Sequence, residues 1–380
     1  MRSFAQTLAV GHWLFNENDN DERLTFNEDE NEDEDENADA EGKLSTKHYT
    51  LNPMSTESLA IIMILILCGI VLTAANAVVC LGLKLLTKVR FWRAFGWGCL
   101  ALMVPPIVIA YGALVERNLL EVTCIDIAHE ELPADFDGYR VVHISDIHAR
   151  SFEGREQHLA RAVERINALQ PDIIAFSGDL ITMTPDELCS MQDILCRLEA
   201  ADGVYSVLGN HDYCMYSHMD SVAKAESLCR LIATEEAMGW TLLMNEHRML
   251  RRGADSIAIV GVENTSPSHH FPSKGNLAKA AEGTEGMYRI LLSHDPLHWE
   301  AEIVERGFAL TLAGHTHAMQ FALFGWSPSR HLFPQYRGLY TTAEGRTQHL
   351  YVNTGLGETI FPARIGVRPE ITLITLRKAF

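Results

Sequence analysis

The sequence predicts a layered α/β domain preceded by two membrane-spanning helices. Three observations lead there: two long uncharged apolar runs, a later series of short apolar runs that each end in a polar turn, and amphipathic helical patterns between those runs. With 380 residues and 47% hydrophobic content the chain can fill a sizeable core.

The first element is an acidic tail, residues 1–57. Residues 16–42 hold fourteen Asp and Glu against the single Arg23, so −13 of the formal −19 sits here and the rest of the chain is only mildly acidic. Such a stretch has almost nothing apolar to bury and repels itself, so it is expected to stay disordered and solvated. Met54, just before the first apolar run, offers an alternative start.

Two spans follow within residues 58–115. Residues 59–83 and 94–115 pass without a charge, and each is long enough for a hydrocarbon core of about 30 Å, which takes roughly 20 helical residues. Pro105 and Pro106 would kink the second span, which a membrane helix tolerates when its neighbours satisfy the freed carbonyls. The intervening stretch, 84–93, carries Lys84, Lys88, Arg90 and Arg93. Short basic loops stay cytoplasmic, so the tail and the following domain are expected on the other face of the cell membrane, the periplasmic or extracellular side. No Asp, Glu, Lys, Arg or His lies within either run, which leaves a transporter without an ion path.

Residues 116–380 read as a soluble α/β domain. The runs VVHISDIH, DIIAFSGD, VYSVLGNHD, IAIVGVEN, RILLSHDP, LTLAGHTH and LYVNTGLG each look like a buried strand followed at once by a turn. Between the first two, REQHLARAVERINALQ places Leu159, Val163, Ile166 and Leu169 on one helical side. Strands that are apolar without strict alternation are covered on both faces, which is the layered α/β arrangement.

Ligands in open α/β sheets lie beyond the carboxyl ends of the strands. Asp146 and His148 leave the first such end, Asp179 the second, and Asn210, His211 and Asp212 the third. His294 and Asp295 follow RILLS, and His315 and His317 follow LTLA. Singly, each is ordinary turn chemistry. Together they bring five clusters of carboxylate, carboxamide and imidazole to one edge, and glycines before Asp179, Asn210 and His315 let the backbone approach closely. This mixture suits Mn, Fe or Zn rather than Mg or Ca, and no cysteine cluster suggests a structural zinc. Two such cations need a bridging anion between them. The scattered cysteines make no disulfide framework.

The series DxH at 146–148, GD at 178–179, GNHD at 209–212, His294 and GHTH at 314–317 resembles the calcineurin-like metallophosphoesterase superfamily. The stretch from about residue 124 to 376, with LPADFDGYRVVHISDIH and RPEITLITL, is similar to its membrane-associated bacterial branch. The resemblance implies a four-layer sandwich of two mixed β-sheets flanked by helices. It implies that Asp146, His148 and His317 hold one divalent metal and Asn210, His294 and His315 a second, with Asp179 bridging. His211 would sit beside the leaving group or a phosphate oxygen, and Asp212 would orient its ring. The metals expected are two Mn ions first, with Fe, Zn or a mixed pair as alternatives.

The activity so implied is cleavage of a phosphoester, a phosphodiester first, by hydroxide generated between the two cations. The substrate would be free or lipid-linked and reached from the membrane; no nucleic-acid polymer is expected as partner. A rival is a cytoplasm-facing pyrophosphatase acting on UDP-diacylglucosamine or a similar lipid precursor. A reading of another class is a catalytically silent, membrane-tethered metal-binding regulator. His143 is expected in the core, His269 and His270 in an exposed loop, and residues 265–286, rich in Gly, Ser, Pro and Lys, are the candidate cover for the site.

Overall fold

A computed structural model describes residues 56–304, 306–342 and 347–379. The acidic tail and Met54 lie outside the described residues. Helix α1 (Thr56–Leu86) is followed by α2 (Phe91–Leu114). Both are long and apolar enough to cross a membrane, and only 6% of either apolar stretch is buried by the protein. The helices run further than the uncharged segments, so Lys84 lies in the last turn of α1, Arg93 in the first turn of α2, and residues 87–90 make the connection. Asn76 donates to the Phe95 carbonyl at 3.1 Å between the helices. A Cβ at Gly98 would stand 1.9 Å from the Asn76 Oδ1, so glycine is what lets the polar side chain in. Small residues and interhelical hydrogen bonds are how apolar helices pair without a hydrophobic driving force.

Twelve strands follow among the described residues. These are β1 (Glu121–His129), β2 (Arg140–Ile144), β3 (Ile173–Phe176), β4 (Val204–Ser206), β5 (Thr241–Leu242), β6 (Glu246–Arg252), β7 (Asp255–Gly261), β8 (Arg289–Leu292), β9 (Leu310–Ala313), β10 (Gly338–Thr341), β11 (His349–Val352) and β12 (Glu370–Lys378). They form two six-stranded mixed sheets, ordered β1-β12-β2-β3-β4-β5 and β10-β11-β9-β8-β7-β6. Strands β2 to β5 run parallel, as do β7, β8, β9 and β11. Antiparallel pairs occur at β12–β2, β6–β7 and β10–β11.

Successive side chains on a strand face opposite ways, and here both faces are covered. Val141, Ile173, Ile259, Ile290, Leu312 and Tyr351 meet between the sheets. Their neighbours Val142 and Ile174 pack outward under α3 (Glu156–Ala168), whose buried side is Leu159, Ala162, Val163 and Ile166. The other outer layer joins Ala258, Val260 and Leu291 to Trp299 and Phe308. The four-layer sandwich expected from the motif resemblance is therefore the architecture observed.

All seven apolar runs became central strands. The strands without a sequence signal are mostly edges: β1, β6 and β10 are half-exposed along their length, and β5 has two residues.

Candidate metal centre

The parallel strands point their carboxyl ends at one place. Asp146 and His148 follow β2, Asp179 follows β3, Asn210 and His211 follow β4, His294 follows β8, and His315 and His317 follow β9. Three acceptor groups converge there: Asp146 with His148 and His317, Asp179 with His294 and His315, and His148 with Asp179 and His211. Apart from the half-buried His211 and His315, all of these are buried.

The distances describe two pockets of lone pairs sharing one carboxylate. His317 Nε2 lies 3.2 Å from Asp146 Oδ1 and 3.1 Å from His148 Nε2. On the other side His294 Nε2 is 3.3 Å from His315 Nδ1. Asp179 Oδ2 stands between, 3.1 Å from His294 Nε2 and 3.7 Å from His148 Nε2.

The chain holds these groups by bending its backbone. Asp146, His148, Asp179, His315 and His317 all have φ between +44° and +68°. Each such non-glycine residue costs on the order of 1–3 kcal/mol and persists only where the surroundings over-determine it. Two glycines permit the approach: a Cβ at Gly209 would stand 2.2 Å from Asp179 Oδ1, and one at Gly314 would stand 2.3 Å from Asp146 Oδ2.

Neighbouring carbonyls decide the ring tautomers. His294 Nδ1 donates to the Ser177 carbonyl at 2.7 Å, and His211 Nδ1 donates to the Thr182 carbonyl at 2.7 Å, so in both rings Nε2 faces inward. Ser145 Oγ donates to Asp146 Oδ2 at 2.5 Å. Burial opposes charge on His294, but Asp179 outweighs it and pushes the imidazolium up to about 10. Burial likewise raises the Asp146 and Asp179 carboxyls, yet the surrounding imidazoles hold both below the usual carboxylate range. Burial together with the His211 and His317 rings holds His148 well below the ordinary imidazole range.

Asp212 is placed differently from expectation. Its carboxylate accepts the backbone N–H groups of Asp179, Leu180, Ile181 and Gly209 at 2.8 to 3.2 Å. The His211 ring is oriented by Thr182 and packs at a 36° tilt against Tyr216, with centroids 4.4 Å apart. A carboxylate one residue along a tight turn points back at the chain, not at its neighbour's ring, so Asp212 builds the turn.

Of the residues set apart as unlikely ligands, His143 is a core residue, with Nε2 2.9 Å from Ser177 Oγ and its pKa pushed down to about 3 by burial. His269 and His270 are exposed. Their neighbour Phe271 packs edge-on against His315 at 4.8 Å, as Phe333 does from another loop at 5.6 Å, so residues 265–286 do reach the site. Ser145, Ser177, Thr182, Tyr216 and Phe271 escaped the sequence reading; nothing in a lone carbonyl or aromatic marks it, and only the two serines stand close enough to the motifs to draw attention.

A family model described as Calcineurin-like phosphoesterase matches residues 139–319. The uncharacterized metallophosphoesterase YkuE of Bacillus subtilis is 31% identical over 278 residues, which cover 70% of this chain and 89% of that protein. The chain belongs to the calcineurin-like metallophosphoesterase family. A transmembrane protein with metallophosphoesterase domain from Danio rerio is 33% identical over 289 residues, 74% of this chain and 62% of that one. The chain thus spans less than two thirds of that relative's length. The UDP-2,3-diacylglucosamine pyrophosphatase LpxG of Chlamydia trachomatis is 26% identical over 308 residues, 67% of this chain and 89% of that protein.

In this metallophosphoesterase the turn after β11 supports the Ser145–Asp146 segment from behind. Leu356 and Gly357 donate backbone N–H groups to the Ser145 and Asp146 carbonyls at 3.0 and 2.8 Å. That turn is gripped by the fully buried Arg364, whose guanidinium donates to the carbonyls of Thr354, Gly355 and Gly357. Arg364 also donates its backbone N–H to Gly112 in α2 at 3.3 Å.

Proposed function

We propose that this chain is a membrane-anchored phosphohydrolase using two divalent metals, with a phosphodiester as its first-choice substrate. The observation that carries the reading is the position of Asp179 Oδ2 between the His148 and His294 rings, at 3.7 and 3.1 Å. The residues present fit a metal pair. Asn210 Oδ1 is buried without a hydrogen-bond partner, an orphan acceptor whose desolvation a cation would offset. Imidazole nitrogens facing one another at 3.1 and 3.3 Å are likewise a donor set in want of a cation.

In this reading Asp146, His148 and His317 would hold one metal and Asn210, His294 and His315 the other, with Asp179 shared between them. When bound, the pair would supply an activated water and polarise the phosphoryl oxygens. Every other part belongs to the chain's own residues. His211, held by Thr182 with Nε2 inward, would, when that nitrogen is also protonated, donate a proton to the departing oxygen or a hydrogen bond to a phosphoryl oxygen. Phe271, Phe333 and Tyr216 keep the surroundings of the rings poor in water, which strengthens those interactions. Asp212 keeps the two turns in register.

Manganese is the first metal to try, with iron, zinc or a mixed pair next. The basic stretch around residues 84–93 supports a domain on the periplasmic or extracellular face. A second reading, hydrolysis of a lipid-precursor pyrophosphate at the cytoplasmic face, draws on the likeness to LpxG. Purified full-length chain in detergent, assayed on bis-p-nitrophenyl phosphate and on UDP-2,3-diacylglucosamine, with Mn²⁺ and after chelation, tests both. Metal-dependent cleavage of the first substrate alone supports the diesterase, and of the second alone the pyrophosphatase. A folded, metal-loaded chain inert to both favours the silent regulator.

A further inference from the structure

Two loops beside the end of α2 carry apolar side chains that the fold does not bury. In residues 323–326, Leu323 and Trp326 exchange backbone hydrogen bonds at 2.9 Å each, closing a two-residue hairpin with Phe324 and Gly325 at φ +52° and +80°. A turn with both central residues at positive φ ordinarily takes Asn-Gly or Asp-Gly; here a bulky aromatic occupies the first position and is fully exposed. In the second loop Ile360, a β-branched residue, sits at φ +60° and is also fully exposed, with Phe361 half-exposed beside it. Both are backbone outliers for their residue type, and both end in bare hydrocarbon.

The loops form one unit. Gln320 donates to the Phe361 and Ala363 carbonyls at 2.6 and 2.9 Å and accepts from the Thr359 N–H at 2.8 Å, while Ala322 donates to the Ile365 carbonyl at 2.7 Å. That unit is fastened to α2 and the residues just beyond it. Arg364 N–H reaches the Gly112 carbonyl, and a Cβ at Gly112 would stand 2.7 Å from the Arg364 carbonyl oxygen. Arg117 donates to the Pro362 carbonyl at 3.1 Å and pairs in fork geometry with Glu358 at 2.8 and 3.2 Å.

Gly112 is two residues from the end of α2, about 3 Å along the axis at 1.5 Å per residue. A loop docked there cannot stand clear of a bilayer that the helix crosses. The exposed Ile107, Ile109 and Leu114 on α2 continue the apolar surface toward the loops, and Tyr111 and Trp326 supply the amphipathic rings that favour the headgroup level. We propose that Phe324, Ile360 and their neighbours insert into the same lipid leaflet that α2 leaves, so that the domain rests on the membrane through a third contact besides its two helices. This rests on the reading of α2 as a membrane span. A consequence for the site is a 510 Å³ cavity lined by Ile360, Phe361, Arg117 and Arg150 that reaches Thr182, whose carbonyl orients His211; it opens beside the lipid-facing loops.

The test uses full-length chain reconstituted in phosphatidylcholine–phosphatidylglycerol vesicles containing an alkyne-tagged phosphatidylcholine. Photoreactive benzoylphenylalanine replaces Phe324, Ile360, Ile107 or the exposed α4 (Ser221–Ala237) residue Val222, one at a time. Lipid adducts at Phe324 and Ile360 several-fold above those at Val222, as at Ile107, are the expected result. Adducts at Ile107 with either loop position at the Val222 level, or crosslinks from the loops to a second copy of the chain, overturn the insertion while leaving the anchor intact. Absence of lipid adducts at Ile107 as well overturns the anchor reading and the insertion with it.

Discussion

Asp212 accepts the backbone N–H of Asp179 at 2.8 Å between the ends of the neighbouring strands β4 and β3, and the same carboxylate oxygen takes the N–H of Gly209 at 2.8 Å. This clamp fixes the turn that carries Asp179 relative to the turn that carries Asn210 and His211.

Replacing Asp212 by Asn should therefore cost stability before it costs chemistry. The amide can still accept on one side, but its NH₂ would confront the N–H groups of Asp179 and Gly209. Leaving such donors buried and unpaired costs about 1–3 kcal/mol each. Denaturant unfolding of detergent-solubilised Asp212→Asn should show a loss of this order. An unchanged unfolding midpoint with reduced turnover would restore the ring-orienting role for Asp212.

Asp179 and His211 are separable by metal content. Asp179→Asn removes the charge shared by both ligand sets and should lose bound metal together with turnover. His211→Ala should retain metal and lose roughly 10²- to 10⁴-fold in rate, the range for a general acid or base. Mass-spectrometric metal analysis of the two variants decides, and a fully metallated Asp179→Asn protein counts against bridging.

Gly314→Ala tests how tightly the ligand cage is drawn. The added Cβ would stand 1.8 Å from Ser145 Oγ and 2.3 Å from Asp146 Oδ2, so the serine and carboxylate must move. Overpacking of this kind costs about 1–3 kcal/mol, and Mn²⁺ affinity measured by titration calorimetry should fall. Gly96→Ala, where nothing stands within 4 Å, is the neutral control.

Away from the metal centre, Glu235 makes stability depend on pH. Burial, against a hydrogen bond from Ser206 Oγ at 2.5 Å, pushes its carboxyl up to about 8 from 4.5. Between those values the folded chain keeps the proton that the unfolded chain has lost, so stability falls as pH rises through the window and levels off above it. At about 1.4 kcal/mol per pKa unit the span is on the order of a few kcal/mol. Glu235→Gln cannot titrate. The difference in unfolding midpoint between variant and wild type should widen in the variant's favour from pH 5 to 8; a constant difference would show that Glu235 is solvated in the folded chain.

Much of this protein was legible in the chain alone. The central strands announced themselves because burial on both faces demands unbroken apolar runs, and the candidate metal ligands because each follows the carboxyl end of such a run. Length and lack of charge marked both apolar helices. Tertiary structure decided what has no local signature. The half-exposed edge β1 owes its pairing to β12 at the far end of the chain, whereas β6 and β10 each pair with the strand that follows them. The tautomers of His294 and His211 depend on which carbonyl, Ser177 or Thr182, happens to lie behind the ring. Asp212, adjacent to His211 in sequence, turned out to serve the backbone, because adjacency along a tight turn is not proximity in space. Arg364 ties the end of α2 to the turn behind Asp146, a link that joins residues far apart in the chain. Local composition determines which segments are buried and which residue types reach a strand end; only the packing of separated segments determines which atoms meet.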